Sequence, residues 1–168
     1  MSITIEPQQD HEACVFFNQR VLPFNREQVW DAWTNPQRLE RWWGPWGFSN
    51  AFAEFDLRPG GYWRFVMRGP DGREYPNESR FAEIIAGERI VFDHLSGHVF
   101  RVTASFEDHE HGTLLSFRME FVDAKDWQRC SAFVPEKNEE NLDKLEAELA
   151  RGADREAEES MAALDAGE

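Results

Sequence analysis

The sequence predicts one antiparallel α+β domain, and three observations carry that prediction. Stretches that alternate strictly between apolar and polar residues follow one another between turn signals from Ala51 onward. Two short capped helices come directly after a first strand, and an amphipathic helix follows the last strand. At 168 residues the chain is long enough for one sizeable core.

Taken in order, Cys14 to Leu22 mixes aromatic, β-branched and polar residues and stops at Pro23, as a strand does. The period then changes. Asn25 is placed to cap Arg26–Trp33, with Gln28 three positions on as in a capping box, and Val29, Trp30 and Trp33 share a face. Asn35 followed by Pro36 repeats the start signal, so a second short helix is expected to about Arg41. Turn signals at Pro59-Gly60-Gly61, Pro70-Asp71-Gly72, Ala86-Gly87, Ser96-Gly97 and His109 to Gly112 then divide a series of short strands. In one of them Trp63, Phe65 and Met67 oppose Arg64 and Val66. Phe100 to Phe106 and Leu115 to Phe121 repeat the pattern, so one face is expected buried and one wet. Such a sheet needs a cover. Pro135 opens a segment in which Asn138, Leu142, Leu145 and Leu149 recur at helical spacing over about four turns, and Asp126 to Phe133 reads as a shorter helix before it.

Charge excludes several functions. The formal net charge is −14, which repels phosphate backbones and anionic lipid heads, so neither nucleic acid nor membrane is an expected partner. No apolar run approaches the ~20 residues of a membrane span, and the start, MSITIEPQQD, has neither a cationic nor an apolar segment, so a cytoplasmic location is expected. Cys14 and Cys130 are too few for a disulfide framework and fit no zinc spacing. Arg far outnumbers Lys, a usage that points to a GC-rich bacterial genome. Acidic residues crowd the chain's end. The expected organisation is an N-terminal extension over 1–12, one domain over 13–150 and an acidic tail over 151–168, frayed or disordered because it has few large apolar residues.

Four blocks, "PFNREQVWDAWTNPQRLERWWGP", "DLRPGGYWRFVMRGPDG", "FAEIIAGERIVF" and "NLDKLEAEL", resemble the START-like (SRPBCC) superfamily. Within it they are most similar to homologues of the activator of the heat-shock protein 90 ATPase, over about Cys14 to Ala150. The resemblance implies a helix-grip fold: a curved antiparallel sheet of about six to seven strands wrapped around a long C-terminal helix, with an apolar cavity between. It implies binding of a small hydrophobic or aromatic molecule there. A chaperone-linked interaction is the alternative, and a cavity enzyme of cyclase or hydrolase type the third reading. Monomer and homodimer stay open.

The aromatic content supports a cavity, with 7 Trp and 14 Phe in one domain. Trp42, Trp43, Trp46 and Phe48 crowd a Gly/Pro loop and are candidates for a lid over a cavity mouth. Plugging the open end of the sheet is the structural alternative. Candidate wall residues are Trp30, Trp63, Phe65, Phe81, Phe92, Phe100 and Phe117, whose bulk could equally fill the cavity. His94, Asn138 and Leu142 complete the candidate site; the first two are polar groups on apolar faces, which need either a partner or a ligand. For acid–base work His94 with Glu83 is the best pair, although GxSxG, HExxH, P-loop and GxGxxG motifs are all missing. His109 and His111 supply two metal ligands at most, so no metal or cofactor is expected.

Overall fold

The computed structural model describes residues 2–166. Its elements are β1 (Ile3–Thr4), β2 (Gln8–Asp10), β3 (Val15–Leu22), α1 (Arg26–Thr34), α2 (Pro36–Trp42), β4 (Ser49–Phe55), β5 (Tyr62–Arg68), β6 (Glu74–Ile85), β7 (Arg89–His94), β8 (Phe100–His109), β9 (Gly112–Phe121), α3 (Ala124–Cys130) and α4 (Val134–Ala166). All strands join one antiparallel sheet of nine strands in the order β1-β3-β9-β8-β7-β6-β5-β4, with β2 also paired to β3. This is the helix-grip fold, α+β with a long C-terminal helix.

The local signals explain the elements. Asn25 accepts from the Gln28 amide at 2.8 Å while Gln28 Oε1 accepts from the Asn25 amide at 2.9 Å, a complete capping box for α1. Asn35 caps α2 through the Gln37 amide at 3.1 Å, with Pro36 at the first helical position. Along the strands the alternation sorts side chains by face. Trp63, Phe65, Phe81, Phe92, Val102, Phe117 and Met119 are buried, whereas the outer face carries ion pairs such as Arg64 with Glu54 and Glu78, and Arg101 with Asp93 at 2.7 Å. Glu54 thus pairs with Arg64, while Arg68 takes Glu74 and Asp56 takes Arg58.

Two features differ from expectation. Residues 1–12 contribute β1 and β2, which raise the strand number above the six to seven expected. Their exposed side chains lack alternation, and what places them is the otherwise open edge of β3. The second difference is the tail: α4 runs 33 residues to Ala166, through the segment expected to be frayed or disordered. Ala, Glu and Arg are strong helix formers, and a helix already nucleated on a packed stem extends at little cost. Asp154 to Asp165 are all exposed.

The stem of α4 covers the sheet with Leu142, Leu145 and Leu149. Polar contacts fix its position: Arg20 reaches Asp143 at 2.8 Å, and Arg38 bonds Asp31 at 2.8 Å and the nearly buried Glu148 at 3.4 Å. Gly152 lies against that guanidinium, and a Cβ there would meet Arg38 Nη2 at 2.5 Å. Leu145 is fully buried, so Leu145→Ala is expected to cost about 2 to 5 kcal/mol in urea unfolding. Truncation after Ala153 should leave the midpoint nearly unchanged, because Asp154 to Asp165 are all exposed.

Candidate functional site

The concave face of β5 to β9 is not filled by its own side chains. Between it, the N-terminal half of α4 and the loop after α2 lies a chamber of about 200 Å³. Its apolar wall is built by Trp43, Trp63, Phe65, Phe92, Phe100 and Phe117, with Met67, Val102 and Met119 between them. Trp43 meets Trp63 at 5.0 Å between ring centroids, edge to face, and Trp63 meets Phe92 at 5.3 Å in the same way. The polar part of the lining is Asn77, Ser79, His94, Asn138 and Asn141. Sheet register explains half of this arrangement: Trp63, Ser79, His94 and Phe100 are successive cross-strand partners in one row over β5, β6, β7 and β8.

The roof is the loop carrying Gly44 and Pro45, tied to α4 by three residues. Asn141 Oδ1 accepts from the Gly44 amide at 3.1 Å and Glu140 from the Trp46 amide at 3.2 Å. Lys144 Nζ donates to the carbonyls of Pro45 at 3.3 Å and Phe48 at 3.2 Å. Burial pushes the Lys144 ammonium below its ordinary pKa. Gly44 takes φ +94°, a left-handed conformation that suits glycine, and a Cβ there would come within 3.0 Å of the Met67 methyl.

His94 and Asn138 both have protein partners. His94 Nδ1 lies 2.7 Å from the His98 carbonyl and Nε2 2.8 Å from Asn77 Oδ1, while the ring stacks on Phe100 at 4.5 Å. Burial holds its pKa below the ordinary value of 6.5, overriding the opposing hydrogen bond to His98. The Asn77 amide nitrogen donates to the Tyr75 carbonyl at 2.9 Å, so its Oδ1 is the atom that faces Nε2. Asn138 donates to Asn18 Oδ1 at 3.1 Å, and fully buried Asn18 donates to Glu139 at 2.9 Å. In contrast, Ser79 Oγ and Trp63 Nε1 are buried with no hydrogen-bond partner among the described residues.

Several expected site residues lie elsewhere. Trp42 is buried inside the core, its indole donating to the Ala32 carbonyl at 2.8 Å, so it braces α1 and α2 rather than covering a mouth. Trp46 is 54% exposed on the roof loop, and Phe48 packs toward Tyr75 at 6.3 Å, outside the lining. Trp30 meets Phe106 beneath α1, Phe81 packs against Phe55 and Trp63, and Leu142 serves the helix–sheet core. The suggested acid–base pair also separates: Glu83 is bound by Arg89 at 2.6 Å, whereas His94 is held by His98 and Asn77. Sequence pattern does not single out Asn77 and Ser79, whose strand carries the turn-like run Tyr75-Pro76-Asn77. Pro76 is tolerated because β7 pairs with β6 only from Ser79 onward. Among the described residues no group of three or more His, Cys, Asp or Glu is placed to hold a metal, and no helix is long and apolar enough to cross a membrane.

The curved antiparallel sheet and the long helix that covers it together define a helix-grip domain of START-like type. The chain belongs to the family described as Activator of Hsp90 ATPase homolog 1-like protein, whose family model matches residues 23–150. Among solved structures it is similar to a protein from Arthrobacter aurescens at 25% identity and TM-score 0.82, covering 89% of this chain and 93% of that one. A protein from Mycobacterium smegmatis is 20% identical with TM-score 0.80, over 89% of this chain and 99% of that one. The AHSA1 protein of Silicibacter pomeroyi is 22% identical with TM-score 0.67, over 82% and 99%. At these identities the likeness carries the fold. No curated protein matches the sequence.

The His94 shift has a pH consequence. The folded ring binds its proton less tightly than the unfolded chain does, so its contribution to stability is present above about pH 6.5 and is lost as pH falls through the folded pKa. Glu148 loses its contribution at lower pH: burial alone would raise its pKa, but hydrogen bonds from Arg41 and Arg151 leave it lowered. Urea midpoints measured between about pH 7 and 5 should fall in the wild type and fall less in His94→Gln.

Proposed function

We propose that the protein binds a small, mainly apolar ring compound inside this chamber. The comparisons carry a domain of the ligand-binding or chaperone-activator type, and the observation that favours ligand binding is the chamber itself. Aromatic side chains hold open about 200 Å³ where they could have collapsed on one another. A space of about 150 Å³ suffices for benzene, and drug-sized ligands take about 300 to 1,000 Å³. A one- or two-ring molecule fits that range, and a lipid with a long acyl chain does not. Flat ligands suit the wall, where Trp43, Phe92 and Phe117 present rings in tilted and edge-on contact. The loop tied down by Asn141 and Lys144 roofs one side of the space.

Toluene titrated into the protein should quench tryptophan fluorescence saturably at one equivalent, because Trp43 and Trp63 line the space. Palmitate should not compete. Val102→Phe, which adds bulk to a fully buried wall position, should weaken toluene at least tenfold while circular dichroism stays native. Lack of saturable binding by the wild type would remove the reading.

A further inference from the structure

We infer that the chamber selects a neutral aromatic carbonyl compound, whose oxygen is held by Ser79 Oγ and Trp63 Nε1. This deepens the ligand-binding reading above and rests on it.

Ser79 carries the argument. It is 1% exposed on β6, an interior strand, and alternation with Asn77 and Phe81 turns its side chain to the concave side. Its hydroxyl has no hydrogen-bond partner among the described residues. The neighbours that register gives it are Trp63 on one side and His94 on the other. His94 cannot serve it, since both ring nitrogens are engaged by His98 and Asn77. Trp63 is in the same state as Ser79, its indole N–H buried without a partner. Trp33 and Trp127 also bury unpartnered indole nitrogens, but neither lines the chamber. Two unspent donors belong to cross-strand partners that both line the chamber, and one carbonyl oxygen has the two lone pairs to match them.

Charge narrows the class further. Among the described residues none of those lining the chamber is Lys, Arg, Asp or Glu. The nearby ammonium of Lys144 is spent on the Pro45 and Phe48 carbonyls. His94 is the one titratable side chain in the lining, and its burial disfavours the cation. A carboxylate would therefore lie in an apolar space with no counter-charge, at a heavy desolvation cost, whereas a ketone or aldehyde brings an acceptor and no charge.

The test compares acetophenone, its isostere α-methylstyrene, in which a methylene replaces the oxygen, and benzoate at pH 8. The Kd ratio of α-methylstyrene to acetophenone should fall about tenfold from wild type to Ser79→Ala, the worth of one buried hydrogen bond. Using the ratio cancels the different hydrophobicity of the two probes. Independently of any variant, the carbonyl stretch of acetophenone bound to wild-type protein should lie below its value in hexane. Benzoate should bind far more weakly than acetophenone. An unchanged ratio, a hexane-like stretch in the wild type, or tighter binding of benzoate would each overturn the inference and leave the chamber as a site for purely apolar or charged rings. Failure of all three probes and of toluene would overturn both readings. Should Ser79→Ala not fold, the wild-type stretch decides.

Discussion

A single helix has to cover a sheet far wider than itself, and the architecture follows from that mismatch. A helix with its side chains is about 10–12 Å across, while eight strands spaced ~4.8 Å apart span roughly 34 Å if laid flat. Laid flat, the sheet would leave most of its apolar face in water. Curling brings the β3 side and the β4 side round toward the helices: α4 packs on β3, α2 touches both β4 and α4, and α1 bridges α4 to β8 and β9. The middle of the concavity is then the part that no helix reaches. There the chamber lies, walled by β5 to β9 and roofed by the loop that returns from α2 to β4.

Because the covering helix touches so little of the sheet, its position needs more definition than three leucines provide. Apolar contact is non-directional and would tolerate a sliding helix. The polar contacts are less permissive. Arg20 faces Asp143 and Glu139, Arg38 faces Glu148, and Lys144 faces two loop carbonyls. Each of these cations is almost wholly buried, and a helix displaced by one turn would take Glu148 from Arg38 and draw Lys144 away from its two carbonyls. Register of α4 against the sheet and against the roof loop is therefore set by charge, while the drive to bury α4 comes from Leu142, Leu145 and Leu149.

The elements were legible where local chemistry acts alone. Capping at Asn25 and Asn35, the alternation from Tyr62 to Arg68 and from Phe100 to Phe121, and the leucine spacing of α4 all operate within a few residues, and the chain folds as they indicate. Residues whose role depends on a partner distant in sequence were not separable by pattern. Trp42 and Trp43 are adjacent and chemically identical, yet one braces two helices and the other faces the chamber, because the helix ends between them. Ser79 was overlooked for the opposite reason: a small polar residue after Pro76 gives no periodic signal, and its significance comes only from the burial that Trp63 and His94 impose on it. The tail shows a third limit. Its composition holds few large apolar residues, but whether an exposed Ala/Glu segment is helical depends on the stem that precedes it.

Gly152 lies where α4 passes the body, against the Arg38 guanidinium that its missing side chain admits. Beyond it the helix continues as a rod of roughly 20 Å at 1.5 Å per residue, carrying Glu158, Glu159 and Asp165 with no buried neighbour. Such a rod exceeds the Debye length of about 8 Å at physiological ionic strength. Its charges therefore set how the molecule meets other macromolecules in solution, by repulsion at arm's length, without adding to the potential inside the chamber. The packed stem and the exposed rod are in this way two parts of one helix that meet near a single glycine.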